Sequence, residues 1–411
     1  MIATRPMAAP MPPNESPKSA TPARRARGHA REGGSHIGRR GDLLVITLDA
    51  LRGHVLEEHL ARLLRSNGYH LLVSERQDPD ALKRGAHGLL VRGRGTDHQA
   101  DVLGELARPA PFSLPLRIFV EAKYRSSKAN LRDVRNAHGV IHDVNEQYGT
   151  ASAGSRRIPM RRHHYRYALF SVSGFTRPAQ QYALAQQISL VDLSSPAFTS
   201  LLTAVDRTAR ELHSLAEQSG ISTFPRGQVR TALRLALDTW TADGHDIQFD
   251  VKRADQTALR GQWANELNPA TREPQRLPDE SLARIADDLA DDSDYDLILG
   301  FPAAPFVLVL RPDDPRRFRD YLERKSSDIL VNIATGPRDE IVGDWAITPV
   351  DEEGGFQLHF ALPTQLEDWL LRADGAAALR ARQVKSALLS SITFFYGDRL
   401  VRLLFQPRRR G

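Results

Sequence analysis

The chain has 411 residues, 41% of them hydrophobic and none of them Cys, which is room for two or three domains and excludes disulfides, thiolate metal sites and Cys nucleophiles. The absence of Cys fits a reducing compartment, no apolar stretch reaches the length of a membrane span, and no apolar signal segment follows the basic start, so a cytoplasmic protein is expected. The net charge of +6 is uneven: residues 1–42 carry 8 basic and 3 acidic side chains, residues 43–200 carry 21 and 14, and residues 201–411 carry 27 and 33, so a phosphate-rich partner would be drawn to the first half.

Residues 1–42 are rich in Pro, Ala, Gly, Ser and Arg without apolar periodicity and are expected to be a disordered basic tail. Order begins near Leu43. Leu56, Leu60, Leu63 and Leu64 recur at helical spacing, with Gly68 as a C-terminal stop. Short strands are expected at Tyr69–Val73, Gly88–Val91 and Gln99–Leu106, and a longer one at Leu116–Tyr124. Val134, Ala137, Ile141, Val144 and Tyr148 mark a helix, with Arg132, Arg135 and His142 off its apolar stripe. Residues 149–162 read as a Gly/Ser/Arg loop. A strand at Tyr167–Val172, a helix at Pro178–Gln187 with Thr176 as N-cap, and a strand at Ile188–Asp192 follow. This order implies an α/β fold, a mixed sheet covered by helices.

Past Gly220 the character changes. Arg226, Arg230 and Arg234 are spaced by four and share one helix face. Residues 241–280 are polar and punctuated by Pro, and the six Asp of 287–296 read as a solvated acidic loop. The loop is not an EF-hand, because Leu297 stands where the turn needs Gly and Ala303 where the last ligand needs Glu. Strands are expected at Leu297–Phe301, Phe306–Leu310, Ile329–Ile333, Trp345–Val350 and Phe356–Leu362, then a hairpin of Ile392–Phe395 and Leu400–Phe405. Residues 221–295 are thus a helical, polar connector and 296–411 an α+β accessory domain.

The chemistry is concentrated at Glu121-Ala122-Lys123, which closes the apolar run Leu116–Val120. Residues two apart on a strand share a face, so Glu121 and Lys123 project side by side from the end of a core strand, where they are costly to desolvate without partners. Asp101 lies on the preceding strand. An acid on one strand and an acid-x-lysine on the next hold a divalent metal and a water together, the chemistry of metal-dependent phosphodiester cleavage. Asp101 and Glu121 would each give an oxygen to Mg²⁺, with Mn²⁺ as a substitute, and Lys123 would orient the water and counter the charge of the phosphorane. Glu57 borders the apolar stripe of the first helix and is placed to hold a second metal or a metal-bound water.

The triplet alone is weak, since Glu323-Arg324-Lys325 repeats it at the end of an amphipathic helix, Arg316–Lys325, where it reads as a solvated terminus. A modest second hint is that the chain uses 49 Arg and only 7 Lys, so a Lys at 123 departs from the prevailing cation. His98 and Gln99 flank Asp101 and either touch phosphate or a metal-bound water, or fix the strand end. Arg94, Arg125 and Arg132 are further nucleic-acid candidates. Asp97 reads as a turn residue, and the pair His163-His164 as a phosphate contact or as nothing. No GxxxxGK[ST] occurs, so this chain carries no nucleotide-hydrolysing motor of that kind.

Gly93-Arg94-Gly95-Thr96-Asp97-His98-Gln99-Ala100-Asp101-Val102 followed by Phe119-Val120-Glu121-Ala122-Lys123 resembles the PD-(D/E)xK nuclease superfamily, and its Mrr-like restriction endonuclease group in particular. Leu56-Glu57 and Gly68-Tyr69 ahead of this core, and Ser173-Gly174-Phe175-Thr176-Arg177-Pro178-Ala179 after it, occur in the order that group has them. The resemblance covers about residues 43–200. It implies a restriction-endonuclease-like fold over 43–220, with Asp101, Glu121 and Lys123 catalytic and Glu57 an accessory acid. It further implies hydrolysis of double-stranded DNA in restriction or defence. Many members of the group carry Gln where this chain has Glu121. Cutting two strands needs two sites, so a homodimer is one expected assembly. Three alternatives stay open: a silent nucleic-acid-binding scaffold, a DNA repair or junction nuclease, and a protein whose acidic C-terminal domain is the functional part, as a protein-interaction or sensor module.

Overall fold

The computed structural model describes residues 46–407 except 86–87, 109–111, 154–155, 196–197, 222, 240–274, 293–296, 305, 326, 336–344, 352–354, 371, 373–374 and 398. The expected tail 1–42 and most of the polar stretch 241–280 lie outside the described residues.

Helix α1 (Leu48–Ser66) opens on Thr47, whose hydroxyl accepts from the Ala50 amide at 3.2 Å. It buries Leu51, Val55, Leu56, Leu60, Leu63 and Leu64, the stripe its spacing dictates. In chain order there follow β1 (Tyr69–Leu71), β2 (Leu82–Arg84), β3 (Leu89–Arg92), β4 (Asp97–Gln99), β5 (Val102–Leu106), β6 (Leu116–Lys123), α2 (Leu131–Asn145), β7 (Gly149–Ala153) and β8 (Arg156–Met160). Then come β9 (His164–Ser171), α3 (Arg177–Ala185), β10 (Ser189–Asp192), α4 (Thr199–Gln218), α5 (Arg226–Ala236) and α6 (Asp279–Asp292).

The central sheet has the order β1-β5-β6-β9-β10. β1, β5 and β6 pair antiparallel, while β6, β9 and β10 run parallel. This is the mixed α/β sheet expected from the sequence. Its two faces follow the strand alternation: Ile118, Val120, Ala168 and Phe170 pack with α1, α4, α5 and α6, whereas Phe119, Tyr167 and Leu169 pack with α2 and α3. The ladder β2-β3-β4 leads the chain into Asp101.

The second half supplies β11 (Ile298–Pro302), β12 (Leu308–Pro312), α7 (Pro315–Arg324), β13 (Asp328–Thr335), β14 (Trp345–Pro349), β15 (Leu358–Phe360), α8 (Thr364–Leu370), α9 (Ala377–Ala387), β16 (Ser391–Tyr396) and β17 (Arg399–Phe405). Its strands close into a barrel, β11-β12-β15-β14-β13-β17-β16, with α7 placing Phe318, Tyr321 and Leu322 in the barrel core. Closure leaves no open edge. Asn67 joins the halves: it is 1% exposed, its amide donates to the Leu297 carbonyl at 3.2 Å, and it accepts from the Leu299 amide at 2.6 Å.

Two expectations are corrected. Residues 149–162, read as a loop, contain the antiparallel pair β7–β8; a ladder is made by backbone groups, which small polar side chains do not announce. Asp287–Asp292, read as loop, lies on α6, where Leu282, Ile285, Ala286 and Leu289 are buried. Their helical spacing holds the segment and leaves Asp287 and Asp291 exposed.

Candidate active site

The central strand β6 carries Glu121 and Lys123 at its C-terminal end, on the α2 face. Their side chains pair with each other, and Glu121 also accepts from the Tyr167 hydroxyl on neighbouring β9. Asp101 precedes β5, and its Oδ2 accepts the Ala122 amide proton at 2.8 Å. The Asp101 carboxylate is therefore docked on the backbone between Glu121 and Lys123. Burial pushes its pKa up to about 6, the charges of Glu57 and Glu121 add to the rise, and the Ala122 amide and Lys123 pull against it. Burial, with Glu121 alongside, also holds the Tyr167 hydroxyl far above its usual pKa, so it is the donor to Glu121.

These donors suit a hard divalent cation. They are carboxylate oxygens, and the neighbouring negative charges that raise Asp101 are what a cation would offset. No group of three His, Asp or Glu side chains among the described residues converges to hold an ion, and Glu121 is paired with Lys123 and Tyr167.

A cleft of about 490 Å³ opens over Asp101, Glu121 and Tyr167. Its near wall is Asp97, His98 and Gln99, and its far wall is Arg135, Asn136, Gly139 and Val140 of α2. A Cβ at Gly139 would meet nothing within 4 Å, so the helix backbone itself faces the opening. The near wall is pinned from α2: Asp143 accepts from the Gly95 amide at 2.7 Å and the Thr96 amide at 3.2 Å, and lies 2.8 Å from His98 Nε2. Burial opposes the charge of Asp143, but these bonds hold its carboxyl below the usual range. A Cβ at Gly93 would come 2.0 Å from Asp143 Oδ2, so this turn admits no side chain there.

Behind Asp101 a smaller depression of about 50 Å³ is lined by Glu57, Gln99, Asp101 and Arg230 among others. Glu57 Oε2 lies 3.3 Å from Arg230 Nη2 and 3.5 Å from His54 Nδ1. Its neighbour Glu58 is 3% exposed and bonded by Arg230 and Arg234 of α5.

Residues 48–195 match the family model of the Mrr-type restriction endonuclease catalytic domain. Over about a third of its length, then, the chain is similar to restriction endonucleases. No curated protein sequence matches the chain. A crystal structure of a protein of unknown function aligns over 46% of this chain and 90% of its own, at 14% identity and a TM-score of 0.25.

Of the sequence-derived residues, the structure groups Asp101, Glu121, Lys123 and Glu57 around the C-terminal end of β6 in the central sheet, with His98 and Gln99 on the cleft wall. Arg94, Arg125 and Arg132 do not line the cleft. Arg125 is drawn to Asp133 in the first turn of α2, the Arg94 amide is tied to the Asp143 carbonyl at 3.0 Å, and Arg132 is exposed on α2. Asp97, expected in a turn, lies on β4, where Lys83 pairs with it at 2.8 Å. His163, expected at phosphate or idle, sits 3.7 Å from both Asp78 and Glu105. Both acids also hold the buried Arg117 at the opposite end of β6. Burial and the Arg117 charge push His163 down to about 4, so it serves this ion cluster as a neutral ring. Sequence reasoning missed Tyr167, Arg135 and Glu58. A polar tip at the start of the buried run Tyr167–Val172 is the one signal that pointed to the first.

Proposed function

We propose that the protein is a divalent-metal-dependent endonuclease that hydrolyses DNA phosphodiester bonds, using Mg²⁺ or Mn²⁺, and acts in restriction of foreign DNA. The observation that supports this best is the Asp101 carboxylate seated on the Ala122 amide between Glu121 and Lys123. Asp101 and Glu121 would hold the metal, which when bound lowers the pKa of water and offsets phosphate charge. Lys123 stands beside Glu121, where its ammonium orients the attacking water and counters charge building on the phosphorane. Tyr167 keeps its proton and fixes the second Glu121 oxygen. Arg132 and Arg135 lie on the exposed side of α2, which flanks the cleft, where they would meet the DNA backbone.

The test is cleavage of modified and unmodified plasmid and phage DNA with Mg²⁺ or Mn²⁺, comparing the wild type with Asp101→Ala and Lys123→Ala. Metal-dependent cutting lost in both variants is expected. Preference for branched over linear DNA would move the role from restriction to junction processing. The closed pairing of Glu121 with Lys123 and Tyr167 favours a second reading, a silent nucleic-acid-binding scaffold. Retained DNA binding with no cutting of any substrate would select it.

A further inference from the structure

Helix α5 lies beyond the residues that match the restriction-endonuclease family, yet it sets two arginines against α1. Arg230 Nε is 2.9 Å from Glu58 Oε1, and Arg234 Nε donates to Glu58 Oε2 at 2.8 Å. A carboxylate as buried as Glu58 is tolerated only when its oxygens are paired, and losing a partner leaves an uncompensated buried charge. These two bonds therefore fix the register of α5 on α1. With Nε committed to Glu58, the fork of Arg230 turns Nη2 to Glu57 Oε2 at 3.3 Å. Glu57, Arg230 and Asp101 line the same depression. The permanent charge of the guanidinium thus stands beside Glu57, an acid that reaches the surroundings of Asp101 from α1 rather than from the sheet.

We propose that Arg230 supplies the positive charge beside Glu57 that a second divalent cation would otherwise supply, so that the nuclease site takes a single metal ion, at Asp101 and Glu121. This rests on the nuclease reading above. A second divalent ion at Glu57 would sit within a few bond lengths of a guanidinium that cannot lose its proton and is anchored by Glu58, and the two would repel. Arg230 is then a positioning residue that acts through Glu57. The region beyond the family domain becomes part of the active site's charge balance.

Mn²⁺ bound per full-length chain is counted by electron paramagnetic resonance, with and without an uncleavable duplex. One ion is expected in the wild type and none in Asp101→Ala. Arg230→Gln is expected to take two, returning to one in Arg230→Gln combined with Glu57→Gln. A purely structural role for Arg230 would not move this count. If Arg230→Gln fails to fold because Glu58 loses a partner, Arg230→Gln with Glu58→Gln removes both charges and carries the same expectation. Two ions in the wild type, or one ion in a folded Arg230 variant, would overturn the assignment. A wild type that binds no Mn²⁺ and cuts no DNA would instead overturn the nuclease reading, and the Arg230 assignment with it.

Discussion

At the scale of single residues, Tyr167 separates a site from a salt bridge. Its hydroxyl gives Glu121 a second partner besides Lys123, and the ring is 3% exposed and stacks on Phe119 at 5.0 Å between centroids. Tyr167→Phe keeps the stack and removes only the donor. Losing a bond that orients a metal-binding carboxylate typically costs about 10- to 100-fold in metal affinity or activity. We expect about a tenfold fall in cleavage rate at subsaturating Mg²⁺, partly recovered by raising Mg²⁺, with a melting temperature close to the wild type. An unchanged Mg²⁺ dependence would show that Lys123 alone holds Glu121. The Glu121-x-Lys123 pair was legible because strand alternation at the end of an apolar run places both on one face. Tyr167 and Glu58 were not, because their partners lie far away in sequence, 46 residues for Tyr167 and 176 for Arg234 with Glu58.

At the scale of elements, the end of α1 shows what periodicity reveals and what it hides. Gly68 was legible as a helix stop, and it does take a left-handed φ of 79°. The second reason for a glycine was not legible: a Cβ there would lie 2.6 Å from Cγ of Phe395, on β16 of the barrel. Gly68→Ala therefore combines backbone strain with overpacking, and we expect a loss of roughly 2 kcal/mol or more of stability. Equilibrium urea unfolding measures it, and a loss below about 0.5 kcal/mol, the range of an ordinary surface substitution, would mean that the barrel yields at this contact. The expected barrel strands were each legible as short apolar runs, but not their closure. Which strand lies beside which, such as β13 parallel to β17, depends on pairings that no local pattern encodes.

At the scale of the whole molecule, the barrel meets the central-sheet half across a cavity of about 320 Å³ between α3–β10 and β12–β15–α8. α8 crosses the boundary, with the Gln365 amide donating to the Arg177 carbonyl at 3.2 Å. Glu367 of α8 lines the cavity and accepts from the Leu362 amide at 3.2 Å. Burial raises its pKa from 4.5 to about 7; the Leu362 bond pulls against the rise and Asp368 adds to it. In the unfolded chain this carboxyl ionises near 4.5, while in the fold it keeps its proton to about 7. Between those values the native state binds more protons, so stability falls as pH rises through the window and levels off above it. Glu367→Gln keeps an acceptor for Leu362 and cannot ionise. We expect it to melt near the wild type at pH 5 and above it at pH 8, in thermal unfolding at matched ionic strength. A wild-type and Glu367→Gln pair that stay parallel across that range would show that the carboxyl is solvated, and that the junction between the barrel and the central-sheet half does not respond to pH through this group.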